Sequence, residues 1–146
     1  MMETHIADIT RVIQLAVAPV FLLTAIGTLI TALNNRLGRA VDRRRVVQER
    51  LQHASQEDAA EARVELRRLE QRSRLIYFAI LAAVVAALFI CLVVAGAFVG
   101  ALVAVELSKM IAVLFILAMC ALIVSLALFL REIFLAVSFG GLRLRG

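Results

Sequence analysis

The chain has 146 residues, 63% of them apolar, with a mean hydropathy of +0.96. A soluble domain carries about 45–50% apolar residues, so a water-soluble globule is excluded, and the length leaves room for one ordinary domain. One proline, seven glycines and two cysteines exclude collagen-like and loop-rich β folds, a disulfide framework and a four-cysteine zinc site, while most of the 16 basic and 11 acidic residues fall in one central block.

Residues 12–33 form the first of three apolar runs, and their only polar side chains before Asn34 are Gln14 and threonines. A bilayer takes about 20 residues to cross, so the run is long enough to span it. In hydrocarbon each backbone amide must be bonded within the segment, which predicts a helix. A secretory signal fits poorly, because residues 1–8 hold no lysine or arginine and the apolar stretch is too long.

The polar residues of this span are not scattered. Thr10, Gln14, Val17, Phe21, Thr24, Thr28, Thr31 and Asn35 follow one another by alternating fours and threes, and the series continues as Gly38, Asp42, Arg45, Glu49 and Gln52. A sustained 3.5-residue period predicts left-handed packing of helices with this stripe facing an axis. Apart from Tyr77, the later spans offer it only Ser125, Cys91 and Cys120 as polar or thiol groups. A threonine hydroxyl can bond its own helix at the i−4 carbonyl, but Gln14 and Asn35 cannot be satisfied so locally. Self-association around an axis answers this, each stripe meeting its copies or water. Two forms of that axis compete, with packing inside a monomer as a third. In a pore, Gln14, Thr24, Thr28, Thr31 and Asn35 line the path, Val17 and Phe21 constrict it and Asp42 biases the inner mouth. In a closed seam the same residues pack and conduct nothing. Pro19 removes one backbone bond and predicts either a hinge or a static kink.

Residues 36–74 read as an antiparallel helical hairpin. Leu37, Val41, Val47 and Leu51 share one face, and Ala59, Ala62, Leu66, Leu69, Ser73 and Ile76 share another. Ser55 followed by Glu57 and Asp58 is a helix start, a serine N-cap with acids where the dipole favours them, so the turn is predicted at 53–55. Eleven arginines lie in this segment, and Arg131, Arg143 and Arg145 follow the last span, against Arg11 and Lys109 on the other side. This asymmetry predicts an inner-membrane protein with the N-terminus outside and the hairpin and C-terminus in the cytoplasm. Arg43, Arg44 and Arg45 anchor the boundary and can attract anionic lipid headgroups.

The second span, 75–105, holds no charged residue, and the third covers 110–130 and ends at Arg131 and Glu132. A short outer turn at Glu106 and Leu107 joins them, with Ser108 as a cap. Gly96 and Gly100 form a small-xxx-small pair that predicts close packing on another span. Cys91 and Cys120 are expected to be buried structural thiols. His5 and His53 lack a second ligand at metal spacing, so neither metal nor cofactor is expected. With no glycine-rich phosphate loop, catalytic triad or paired inward carboxylates, an enzyme is not expected either, and the basic residues alternate with acids too closely for a nucleic-acid surface.

Residues 12–23 (VIQLAVAPVFLL), Asn35-Arg36-Leu37-Gly38-Arg39 with Asp42-Arg43, and Phe129-Leu130-Arg131-Glu132 together resemble bacterial domain-of-unknown-function family 2721 over nearly the whole chain. The resemblance implies a small bacterial membrane protein with the same three-span plan, and it implies no activity. The expected architecture is therefore all-α, a single membrane domain with three transmembrane helices and a cytoplasmic hairpin between the first two. The expected function is that of a channel-like homo-oligomer lined by the first span. The alternative is a non-conducting oligomeric scaffold or regulator whose hairpin binds a cytoplasmic protein.

Overall fold

The computed structural model describes residues 2–140, without the side chains of residues 2–5, 8, 139 and 140. Arg143 and Arg145, which enter the threading argument, lie outside the described residues, as does the side chain of His5. Three helices account for nearly all of the described chain: α1, Met2–His53, α2, Gln56–Val103, and α3, Ser108–Gly140. Each contains a window long and apolar enough to cross a membrane, with mean hydropathies of 2.1, 3.1 and 3.0 in chain order. The protein is an all-α, multi-pass membrane protein.

On each helix, buried residues recur at intervals of seven. On α1 these are Ile26, Leu33, Ala40 and Val47; on α2, Leu69, Ile76, Ala83 and Ile90, interleaved with Ala79, Ala86 and Val93; on α3, Ala118, Ser125 and Glu132. This is the seam pattern of helices lying side by side at a 3.5-residue period. The faces predicted for the hairpin are the covered ones, since Leu37, Val41, Leu51, Ala59, Ala62, Leu66 and Ser73 are half-buried beside the buried Val47, Leu69 and Ile76.

The chain divides into two compact units, each drawing on all three helices. The first comprises Met1–Ile30 and Ala82–Ile123. Its core is Ile26 against Ala83, Ala86, Ile90 and Ala118, flanked by Leu22, Leu23, Phe89 and Leu122. Lipid is as apolar as leucine, so helices associate here through close packing, which alanines permit. The approach at Gly96 and Gly100 is no tighter than ordinary van der Waals contact, and Gly100 faces the turn rather than another span. A methyl at Gly96 would sit 3.5 Å from Ile111 Cγ1 of α3, and one at Gly100 would sit 3.4 Å from the Val105 carbonyl oxygen in the turn between α2 and α3.

That turn differs from expectation at both ends. α2 stops at Val103, and Ala104 takes a left-handed φ of 54°, a conformation that costs an alanine about 1–2 kcal/mol and that glycine usually supplies after a helix. At the start of α3 the Ile111 N–H donates to the Leu107 carbonyl at 3.0 Å. Leu107 is therefore the cap position and Ser108 the first helical residue. The side chain of Leu107 lies close beside Gly100, so an apolar residue stands at the cap position in place of a serine.

The second unit comprises Thr31–Leu81 and Val124–Gly146. Leu33, Ala40 and Val47 of α1, Leu69, Ile76 and Ala79 of α2, and Ser125 and Glu132 of α3 are its buried residues. Ala54 and Ser55 make the turn between α1 and α2. Ser55 accepts the Ala59 N–H at its carbonyl (2.9 Å) and donates its hydroxyl to the Asp58 carboxylate (2.6 Å), closing the first turn of α2. Farther along, Arg43 donates to Glu65 Oε1 through Nε at 3.0 Å and Nη2 at 2.7 Å. The buried Ser125 hydroxyl donates to the Ala79 carbonyl at 2.7 Å, joining α3 to α2 where an unpaired hydroxyl would be costly.

The thiols depart from expectation. Cys91 and Cys120 are exposed on the helix surfaces, which suits a weakly polar side chain when the surroundings are lipid rather than water.

Candidate functional site

The seam on α1 determines what its opposite face must be. At 100° per residue, positions two before and two after a buried residue lie almost across the helix from it. Thr24 and Thr28 stand so about Ile26, and Thr31 and Asn35 about Leu33. In the first unit Gln14, Val17, Phe21, Thr24 and Thr28 are all exposed, Phe21 at 71%. In the second unit Thr31, Asn35 and Asp42 are exposed as well. Every residue of the predicted stripe points away from the chain's own packing, and no two of them are brought together by folding other than by their register on α1.

The outward faces of α2 and α3 are different in kind. Leu81, Val84, Leu88, Leu92 and Val99 on α2, and Val113, Ile116, Leu117 and Ile123 on α3, are exposed and suit hydrocarbon. Among the described residues, only α1 places a row of polar groups on an outward face within its apolar run. The threonines soften that mismatch by turning inward on the backbone: Thr24 Oγ1 donates to the Val20 carbonyl at 3.3 Å, and Thr28 Oγ1 to the Thr24 carbonyl at 3.1 Å. Thr10 does the same with Ile6 at 2.9 Å. Among the described residues the amides of Gln14 and Asn35 have no hydrogen-bond partner within the chain.

A second constellation escaped the sequence reading. Glu132 of α3 is completely buried, and two arginines from different helices converge on it. Arg36 Nη1 donates to Oε2 at 2.7 Å, while Arg72 donates to Oε1 through Nε at 3.2 Å and Nη2 at 2.8 Å. The Arg36 guanidinium also lies 5.2 Å from the centre of the Phe129 ring, a cation–π contact. Each arginine keeps about a third of its side chain exposed, 32% for Arg36 and 30% for Arg72. The signal was present in the register: Glu132 falls seven residues after the buried Ser125 and fourteen after Ala118, so it continues a seam rather than flanking a span.

Of the three boundary arginines, Arg43 is engaged by Glu65, Arg44 Nε is buried without a partner, and Arg45 is exposed. An open groove of about 480 Å³ at the hairpin tip is lined by Val47, Arg50, His53, Asp58, Glu61 and Glu65, among others. Two of its three carboxylates are already taken, Asp58 by Ser55 and Glu65 by Arg43. No group of residues that could hold a metal ion occurs among the described residues.

A family described as "Protein of unknown function (DUF2721)" matches residues 16–140. The chain belongs to this family. The DUF2721 match takes in the stripe from Val17 onward and all three members of the Glu132 cluster, and it leaves Gln14 outside. No curated protein and no solved structure matches the chain. The family's description carries no activity, so function must be argued from the stripe.

Proposed function

We propose that this DUF2721 protein is a homo-oligomeric channel of the bacterial inner membrane, with α1 of each copy facing a central axis. Gln14, Thr24, Thr28, Thr31 and Asn35 line the path, Val17 and Phe21 form its dry constriction, and Asp42 stands at the cytoplasmic mouth. The N-terminus lies outside and the hairpin between α1 and α2 lies in the cytoplasm, the arrangement favoured by the arginine asymmetry. Arg43, Arg44 and Arg45 then sit at the inner headgroup level, where they attract anionic lipid. The protein is not an enzyme on this reading. The observation that carries it is the outward polar row on α1, exposed from Gln14 to Asp42.

A specific observation favours a second reading. The hydroxyls of Thr24 and Thr28 are returned to their own helix, which satisfies them without water and makes a dry, non-conducting seam between copies feasible. The oligomer would then be a scaffold whose hairpin binds a cytoplasmic protein.

Both readings require α1 to meet its copies through the stripe, and disulfide crosslinking tests this. Cys91 and Cys120 are exposed and would react themselves, so both are first replaced by alanine. Single cysteines at Thr24 or Thr28 are expected to crosslink between chains more readily than cysteines at Leu22, Leu29 or Ile30, which are half-buried on the inward side. Equal crosslinking from both faces would remove the basis for either reading.

A further inference from the structure

Asn35 and Arg36 are neighbours on α1, about 100° apart around the helix, and meet different surroundings. Asn35 is exposed on the stripe, while Arg36 reaches inward to Glu132 at 2.7 Å and packs over Phe129. Turning or tilting α1 at this level, which is what would change the bore at Asn35 and Asp42, must break the bond to Glu132 and lift Arg36 from the Phe129 ring. The other half of the cluster has no such consequence, because Arg72 joins α2 to α3. It makes two bonds to Oε1 and leaves Oε2 to Arg36. Were Arg36 to let go, Glu132 would keep a guanidinium partner, and no bare charge would be left buried. Arg36, partly exposed, could carry its own charge to water. The carboxylate thus has two partners, one on each of its oxygens, and only one of them belongs to the helix bearing the stripe.

We infer that the Arg36–Glu132 pair is a latch that holds the inner end of α1 in one rotational state, and that Arg36 is a positioning residue for the stripe over 31–42. The inference rests on the reading of α1 as lining an axis between copies. A staple that merely stabilised the fold would use both arginines alike, whereas a latch on α1 depends on Arg36 and tolerates loss of Arg72.

The test compares Arg36→Gln with Arg72→Gln in the full chain, on the background lacking Cys91 and Cys120. Spin labels at Asp42→Cys on α1 and Leu130→Cys on α3 report the distance within one chain, labelled chains being diluted with unlabelled ones. Ion flux through purified protein in liposomes is measured alongside. Arg36→Gln is expected to shift or split the distance distribution by about 1–2 Å or more, the scale of helix displacements in switching proteins. It is also expected to change flux about tenfold, within the usual range of coupling between sites. Arg72→Gln should leave both near the parent values, and Arg36→Lys, which keeps the charge, should restore part of the parent distance. Equal shifts from both variants, or an unchanged distance in Arg36→Gln, would overturn the latch. A distance shift confined to Arg36→Gln in a protein silent to all ions would keep the latch and overturn the channel.

Discussion

Removing both arginines from Glu132 is expected to destabilise the protein more than removing Glu132 itself. In Arg36→Gln/Arg72→Gln a fully buried carboxylate loses both guanidiniums, and an uncompensated buried charge costs about 3–5 kcal/mol. In Glu132→Ala the charges left behind are two arginines that keep 32% and 30% of their side chains exposed. They can extend toward water or headgroups along their flexible stems, so the loss is smaller. Each single arginine variant leaves the carboxylate one partner and should cost less than the double. Unfolding titrations in mixed detergent micelles measure the order. A double variant no less stable than Glu132→Ala would mean that the carboxylate is not held as a buried ion.

Phe21→Ser should have the second large effect, and its direction separates the two functional readings. Phe21 is 71% exposed in the single chain, so its loss leaves the chain's own packing intact, and any weakening of the assembly is a loss between copies. If the axis carries water, Phe21 is the dry ring between the outer mouth and the threonines, and a serine there lowers the barrier to wetting and raises ion leakage in liposomes. If the axis is a packed seam, the same change removes an interfacial aromatic and weakens assembly, with about 3–5 kcal/mol as the scale for losing a buried phenylalanine in a soluble core. Flux and oligomer stability are therefore read on one preparation. An intact Phe21→Ser oligomer that stays silent across voltage, cations and anions would exclude the channel and leave the scaffold.

The parts of the structure that were legible in the sequence are those carried by helix register. The spans followed from apolar length. The turn at Ala54 and Ser55 followed from the serine–acid start of α2. The covered faces of residues 37–51 and 59–76 followed from spacing by threes and fours. What register along one helix cannot convey is which helix lies opposite. Arg36 and Glu132 are 96 residues apart in the chain, and Arg72 and Glu132 are 60 apart, so each reads locally as one more charge beside a span. The thiols failed for another reason. Burial was inferred from an apolar setting, but in a membrane protein the outer surface is apolar too, and Cys91 and Cys120 face it. Ser108 reads as a cap from its hydroxyl alone, whereas the Ile111 N–H bonds the Leu107 carbonyl and puts the cap one residue earlier.

The central claim is that the outward row on α1 is covered by copies of the same chain. The mass of the purified protein in lipid nanodiscs tests it most directly. The account predicts an assembly of several 16.0 kDa chains, dissociated by charges placed at Thr24 and Thr28 and retained when charges are placed at an exposed α1 position off the stripe, Ala32. A single 16.0 kDa chain at every protein concentration, its stripe facing lipid, would contradict it.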